Sequence, residues 1–336
     1  MKTYHSIQYL RAVAAIAVAV YHAFQWLDGG FEVGRAGVDI FFVISGFIMW
    51  SITAGRPAEP LRFLWRRFTR VAPTYWLITL VMAGVAIAWP AFLPNVRAGW
   101  SHVLLSMAFI THFGPNGLPF PVLPAGWTLN YEAEFYLLFA AALLLKEGPR
   151  LAVVTAGLTA IAVLGVLDPP LYTLGANAMM LEFAAGLWLA KLVRDKALPG
   201  AGVGGAIAAV GLVVFALTNR EFFGDTLLRP LTWGLPALML VGGGLALEAG
   251  GRMPRWPWLK ALGDASYSIY LCHALASAVV AHTLGSGQPM LFIPAAVAAS
   301  IAAGLACRRW VERPLLALLR GRHDPDEAST PSIAHI

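Results

Sequence analysis

The chain has 336 residues, of which 58% are hydrophobic and only 12% are charged, and its mean hydropathy is +0.67. An average soluble domain carries about 25% charged residues, so this chain lacks the charge to cover a soluble surface. The composition excludes a cytosolic enzyme, a disordered chain and a secreted module, and it indicates a protein embedded in lipid. The net charge of +6 is spread between apolar runs, which predicts membrane topology and no nucleic-acid partner.

Apolar runs that could cross a bilayer recur along the whole chain, since a spanning helix needs about 20 mostly apolar residues. The run at 101–113 is too short and leads into a proline-rich stretch, so 101–127 predicts a re-entrant or interfacial segment. The sequence predicts an all-α integral membrane protein, with a membrane domain at 1–322 and a disordered tail at 323–336. The ten candidate spans are residues 8–27, 37–54, 71–90, 128–146, 151–167, 171–190, 201–218, 230–249, 263–284 and 289–307.

The basic residues indicate the orientation of these spans. With the N-terminus inside and ten crossings, all but four of the 24 Lys and Arg residues lie on the cytoplasmic side. This bias follows the positive-inside rule and predicts that both termini are cytoplasmic. The four basic residues left outside are Arg35, Arg97, Arg220 and Arg229.

Two ionisable residues lie on the first span, where each costs a few kcal/mol to insert and is therefore a functional candidate. Arg11 and His22 are separated by three helical turns plus about 20°, so both side chains project from one face, about 16 Å apart. Asp39 opens the second span at a similar predicted depth to His22, and its carboxylate could orient the imidazole as a base. Nearby Ser45 and Gly46 are typical of close helix packing.

A dense basic stretch precedes the third span and contains Arg62, Arg66, Arg67 and Arg70. One interpretation is a positive-inside anchor. The other is an anion site, because Arg67 and Arg70 are three residues apart on a helix and share a face, and guanidinium groups bind phosphate oxygens in a forked geometry.

Acidic residues recur at predicted membrane depth. Glu132 and Glu134 flank the outer end of the fourth span as candidate acid–base groups, with pairing to an outer arginine as the alternative. Glu182 lies within the sixth span without a recognisable motif and predicts a polar partner on a neighbouring helix. In the ninth span, Tyr270 and His273 are three residues apart and share a face.

The two cysteines of the chain form neither a CxxC pair nor a zinc-ligand spacing, so no metal site is expected.

Taken in order, six motifs resemble those of acyltransferase family 3, membrane proteins that O-acylate cell-surface and exported glycans. The opening stretch at 6–22 looks closest to a branch of exopolysaccharide production proteins. The six motifs are Arg11-x10-His22, GVDIFFVISGF at 37–47, Arg67-x-x-Arg70 before PTYW, WTLNYEAEFY at 127–136, GDASYSIYLCH at 263–273, and Glu312-Arg313-Pro314.

The resemblance implies ten spanning helices in a bacterial inner membrane, acetyl-CoA or another cytoplasmic acyl-CoA as donor, and a sugar hydroxyl as acceptor. It implies a glycan or lipid-linked oligosaccharide as the acceptor partner, together with the bilayer and other membrane proteins of polysaccharide biosynthesis. Two departures are Thr128, where serine is usual, and Ser268, where proline is common.

By matching position, the resemblance also implies roles for single residues. His22 is the essential histidine, Arg11 its motif partner, Asp39 the motif acid and Glu132 the motif glutamate. Arg67 and Arg70 contact CoA phosphate, and we expect Arg66, Tyr270 and His273 to complete the acyl-CoA site.

These features lead to one mechanism and leave two other functions open. His22, oriented by Asp39 or Glu132, takes the proton of a sugar hydroxyl, or instead carries the acyl group itself. A transporter or flippase for a lipid-linked sugar would use the same buried charges to bind its substrate. A purely structural membrane subunit would leave His22, Asp39 and Glu132 without a purpose.

Overall fold

The computed structural model describes residues 4–168, 177–220 and 228–320. Within these ranges the regular structure is helical and no strand occurs, as the composition predicts. The α-helices are α1 (His5–Phe24), α2 (Gly37–Thr53), α3 (Pro60–Ala88), α4 (Trp100–Met107), α5 (Trp127–Ala142), α6 (Glu147–Leu167), α7 (Met180–Arg194), α8 (Ala201–Leu217), α9 (Leu235–Ala249), α10 (Pro257–Leu284), α11 (Pro289–Cys307) and α12 (Arg313–Arg320).

Seven helical stretches of the described chain are long and apolar enough to cross a membrane, and they contain α1, α2, α3, α6, α9, α10 and α11. The other three predicted spans coincide with the shorter helices α5, α7 and α8, of 16, 15 and 17 residues. The all-helical membrane architecture is therefore confirmed, whereas the count of ten crossings and the cytoplasmic termini stay predictions. The start of the predicted span 171–190 and the predicted tail 323–336 lie outside the described residues.

Two helices begin well before the predicted spans. α3 starts at Pro60, so Arg67 and Arg70 lie on the same continuous helix as the predicted third span. α10 starts at Pro257, which places Asp264 two turns inside the helix, where it pairs with Lys260 at 2.9 Å. Both helices begin with proline at the first position, where a missing backbone N–H has no cost. Hydropathy predicts that each span begins after the last charged residue, whereas each of these two helices begins earlier in the chain.

The segment predicted to be re-entrant contains only a short helix. α4 has eight residues, and a non-helical stretch leads from it to a single turn at Pro124–Gly126 just before α5. Backbone carbonyls of this region are bound by side chains of α3: Trp76 donates to the Met107 carbonyl at 2.7 Å, and Tyr75 to the Ser106 carbonyl at 3.1 Å. Both carbonyls belong to the last turn of α4, where the C=O groups have no partner further along the helix.

α1 lies at the centre of the bundle and contacts α2, α9, α10 and α11. α2 packs in turn against α7 at very short range, through one glycine from each helix. A Cβ atom on Gly46 would lie 2.0 Å from the Phe183 carbonyl oxygen, and one on Gly186 would lie 2.0 Å from the Val43 carbonyl oxygen. Small residues at such crossings are typical of membrane helix pairs, so the packing role predicted for Gly46 is confirmed.

We expect Gly46→Ala to destabilise the protein by about 1–3 kcal/mol, the usual cost of overpacking. The added methyl would meet backbone, which cannot rotate away as a side chain can. Thermal unfolding in detergent measures the change. Gly84→Ala on the exposed side of α3 is the matched control, because nothing lies within 4 Å of its Cβ position. Equal melting temperatures for the two variants would contradict the close crossing.

Candidate active site

α1, α2, α3, α5 and α10 line a cavity that we call the arginine cavity, with about 800 Å³ of free space when the open space at its mouth is included. Its walls are apolar apart from a group of charged and hydroxyl side chains that converge on it. This group consists of Arg11, Ser45, Arg67, Arg70, Thr128, Glu132, Tyr136, Ser266, Tyr267 and Tyr270. Apolar walls with a few convergent polar groups are typical of small-molecule sites.

Three arginines give the cavity an excess of positive charge. Arg67 and Arg70 both line it, which confirms that they share a face of α3. Arg70 is bound by the buried carboxylate of Glu312, and its guanidinium carbon lies 5.4 Å from the centre of the Tyr267 ring. Arg11 Nη1 and Arg67 Nε have no hydrogen-bond partner within the described ranges. Buried guanidinium groups with unused donors favour an anionic ligand.

A hydrogen-bonded carboxylate faces the same cavity. Glu132 on α5 accepts a hydrogen bond from Ser45 of α2 at 2.9 Å and another from Tyr136, one turn further along α5. Arg67 in turn hydrogen-bonds the Tyr136 hydroxyl. Because that hydroxyl donates its proton to Glu132, it accepts from Arg67. The chain Arg67–Tyr136–Glu132–Ser45 therefore joins α3, α5 and α2 at the cavity wall.

Tyr270 separates the arginine cavity from two histidines. Its hydroxyl donates to the Ala125 carbonyl at 3.1 Å and lies 3.0 Å from the Thr128 hydroxyl. The Tyr270 ring centre is 5.8 Å from that of His273, which is 4.7 Å from that of His22. His22 lines neither this cavity nor the neighbouring one described below. It is connected to the arginine cavity through two intervening rings.

The tautomer of His273 follows from its hydrogen bond. Its Nδ1 lies 2.5 Å from the Tyr270 carbonyl oxygen, which can only accept, so Nδ1 carries the proton. In the neutral ring Nε2 then keeps a lone pair that can accept a proton. A fixed imidazole beside His22 is an arrangement that could orient it.

The predicted contact between His22 and a carboxylate is wrong. Asp39 is fully buried and is held by Arg229, whose Nε and Nη2 lie 3.1 and 2.8 Å from its two oxygens. Glu132 is directed to Ser45 and Tyr136. The aromatic neighbours of His22 are Tyr21 and His273. A bidentate arginine is a better partner for Asp39 than an imidazole, because both carboxylate oxygens are satisfied at once.

Glu182, for which the sequence predicts a polar partner on a neighbouring helix, has no hydrogen-bond partner among the described residues. The charged groups beside it are Asp39 and Arg229. Arg229 pairs with Asp39 at 2.8 Å and supplies the positive charge of this group. This cluster of Asp39, Glu182 and Arg229 joins α2, α7 and the turn before α9.

Sequence reasoning missed Arg229 and Tyr136. The predicted topology places Arg229 on the outer side of the membrane. Basic residues are rare on that side, and this could have indicated that Arg229 pairs with a buried acidic residue. Tyr136 lies four residues after Glu132, a spacing that puts both on one helix face. Arg66 lies outside the lining of the arginine cavity, and Glu134 faces a second cavity. His273 is a neighbour of His22 and not of the arginines.

Comparison with known proteins identifies a common domain over most of the chain. Residues 4–309 match an acyltransferase domain family, Acyl_transf_3. The exopolysaccharide production protein ExoZ of Rhizobium meliloti (strain 1021) is 39% identical over 310 residues, which cover 90% of this chain and 96% of that protein. No solved structure matches the chain.

A peptidoglycan O-acetyltransferase is a more distant relative. OatA of Listeria monocytogenes is 27% identical to this chain over 358 residues, which cover 92% of the chain and 55% of OatA. The chain therefore spans about half the length of OatA.

Proposed function

Because the chain belongs to acyltransferase family 3 and is a membrane O-acyltransferase, we propose that it transfers an acetyl group from acetyl-CoA to a sugar hydroxyl of an exopolysaccharide. The observation that carries the proposal is the arginine cavity, in which unused guanidinium donors lie beside a hydrogen-bonded carboxylate. The names of the relatives ExoZ and OatA support a glycan acceptor and an acetyl group. The same proposal includes the topology: the chain crosses the bacterial inner membrane ten times and both of its termini are cytoplasmic.

The donor fits the charge of the cavity. The phosphates of CoA are anions, and Arg11 and Arg67 have buried donors free to bind them. Arg70 contributes positive charge but is held in place by Glu312. We therefore assign the contact with the CoA phosphates mainly to Arg67 and Arg11, with Arg70 as a fixed neighbour. The bound donor supplies an activated acyl thioester.

Two groups of the chain can take the proton from the sugar hydroxyl. Glu132 faces the cavity directly, held by Ser45 and Tyr136. His22, the essential histidine implied by the family, lies behind the rings of His273 and Tyr270 as seen from the cavity. We propose that His22 is the base or the acyl carrier, that His273 orients it, and that Glu132 positions the acceptor hydroxyl. Proton transfer of this kind contributes about 10²–10⁴-fold to a rate.

Arg67→Ala tests the donor site. Loss of one charge-assisted contact to phosphate costs about 1.5–3 kcal/mol, which corresponds to about 10- to 100-fold weaker binding of acetyl-CoA. Titration of purified protein in nanodiscs with labelled acetyl-CoA measures this binding.

Arg62→Ala is the matched control, since Arg62 is exposed on the same helix and lies outside the arginine cavity. Unchanged binding by Arg67→Ala would contradict the assignment. In inside-out vesicles, radiolabel from acetyl-CoA should appear in glycan. Movement of sugar without labelling would instead identify a transporter.

A further inference from the structure

A second cavity lies beside the arginine cavity, between α3 and α5, and is also lined by residues 107–111. We call it the lateral groove. Its free space is about 1400 Å³ when the open space at its mouth is included, and most of its walls are apolar, including Phe68 and Trp76 of α3 and Ala133 and Leu137 of α5. A groove of this size can hold a substantial part of a small-molecule ligand.

Large apolar side chains that line the lateral groove are exposed at the protein surface. Leu137 of α5 is 61% exposed, and Ile110, in the non-helical stretch after α4, is 50% exposed; both line the groove. Exposed leucine and isoleucine on a membrane-embedded face are in contact with hydrocarbon. A molecule that enters the groove sideways therefore comes from the lipid phase, whereas acetyl-CoA is water-soluble and arrives from an aqueous side.

The two cavities meet at a shared wall made of Arg67, Val71, Leu129, Glu132 and Tyr136. The hydrogen-bonded chain Arg67–Tyr136–Glu132 is therefore reachable from both. Glu134 lines only the lateral groove and adds a second carboxyl that can accept hydrogen bonds from hydroxyl groups. An occupant matches this surface if it has a hydrocarbon chain along the apolar walls and a hydroxyl-rich head near the two glutamates.

We propose that the lateral groove is the acceptor site and that the acceptor is a sugar carried on a hydrocarbon chain. The chain lies between α3 and α5, and the sugar reaches the arginine cavity past Glu132. This inference rests on the proposed acyltransferase function and names its acceptor class. Donor and acceptor then approach from different sides and meet at Glu132 and Tyr136.

Ala133→Phe tests the site, because Ala133 lines the lateral groove but not the arginine cavity. The larger ring fills the groove beside Glu132. Ala141→Phe is the matched control, since Ala141 is exposed on the same helix and lines neither cavity. Each full-length variant in nanodiscs receives labelled acetyl-CoA and one of two acceptors. These are the lipid-linked saccharides extracted from bacterial membranes and the same saccharides after mild-acid release from the lipid.

We expect the unmodified protein to acetylate the lipid-linked saccharides and to use the released ones at least about tenfold less efficiently, as the loss of a buried apolar contact requires. Ala133→Phe should lose about tenfold or more of the transfer to the lipid-linked acceptor, with acetyl-CoA binding unchanged. Ala141→Phe should behave like the unmodified protein. Equal use of both acceptors, or full transfer by Ala133→Phe, would overturn the inference.

Two further measurements separate the possible failures. If Ala133→Phe loses acetyl-CoA binding as well, photocrosslinking of a lipid-linked saccharide with a photoreactive chain to the unmodified protein decides the question. Labelled peptides from α3 and α5 support the site, and their absence overturns it. A long-chain acyl-CoA that outcompetes this crosslinking would assign the groove to the donor and also overturn it. No acetyl transfer to either acceptor would contradict the proposed function itself.

Discussion

His22→Ala is expected to abolish acyl transfer, with a loss of about 10²–10⁴-fold, while the protein still folds and binds acetyl-CoA. The imidazole lies between Tyr21 and His273, so its loss leaves a small gap in the packing and no unpaired buried charge. The arginine cavity is unaffected, because His22 does not line it. Transfer of label from acetyl-CoA to glycan measures the effect, and donor binding serves as the test of folding.

His282→Gln provides the control for loss of an imidazole. His282 lies on α10 like His273, but its ring packs on Phe92, with ring centres 4.4 Å apart, and it lines neither cavity. Transfer by this variant should stay close to that of the unmodified protein. If His22→Ala transfers acetyl groups at the rate of the unmodified protein, the catalytic assignment of His22 is wrong and Glu132 remains as the base.

Arg229→Ala is expected to destabilise the protein by about 3–5 kcal/mol, the usual cost of breaking a buried ion pair by removing one partner. Asp39 and Glu182 would be left together in an apolar environment without a cation. Arg229 also lies 5.0 Å from the centre of the fully buried Trp233 ring, so packing is lost as well. Thermal unfolding in detergent should show a clearly lower midpoint.

The double variant Asp39→Asn/Arg229→Ala makes this prediction specific to charge. Removing the carboxylate together with its partner should recover much of the stability lost in Arg229→Ala, because the carboxylate that Arg229 paired with is no longer present. Arg220→Ala, on an exposed residue just beyond α8, is the matched control and should leave the midpoint unchanged. If Arg229→Ala unfolds at the same temperature as that control, the pair does not stabilise the fold.

Features that depend only on the spacing of residues within one helix could be predicted from the sequence. Arg67 and Arg70 face one cavity because three residues separate them on a helix. The positions of the membrane helices followed from apolar runs, with errors at α3 and α10, where charged residues continue the helix beyond the apolar run. Local periodicity carries this information without reference to the rest of the fold.

Contacts between distant segments could not be predicted in this way. The ring of His22 meets that of His273 because α1 packs against α10, and nothing in the spacing of either helix indicates the partner. Asp39 was expected beside His22 on the basis of depth alone. Depth does not specify the direction around the helix, and the turn before α9 supplied a bidentate arginine instead.

The ion pair of Asp39 and Arg229 also constrains the order of events during synthesis. The two residues are 190 positions apart, and a ribosome adding about 5–20 residues per second needs roughly 10 to 40 s to cover that distance. Throughout this interval α2 carries a carboxyl group without its cation. It must stay protonated, remain hydrated or be shielded by the insertion machinery until the start of α9 emerges. The second helix therefore reaches its final state only when the later part of the chain has been made.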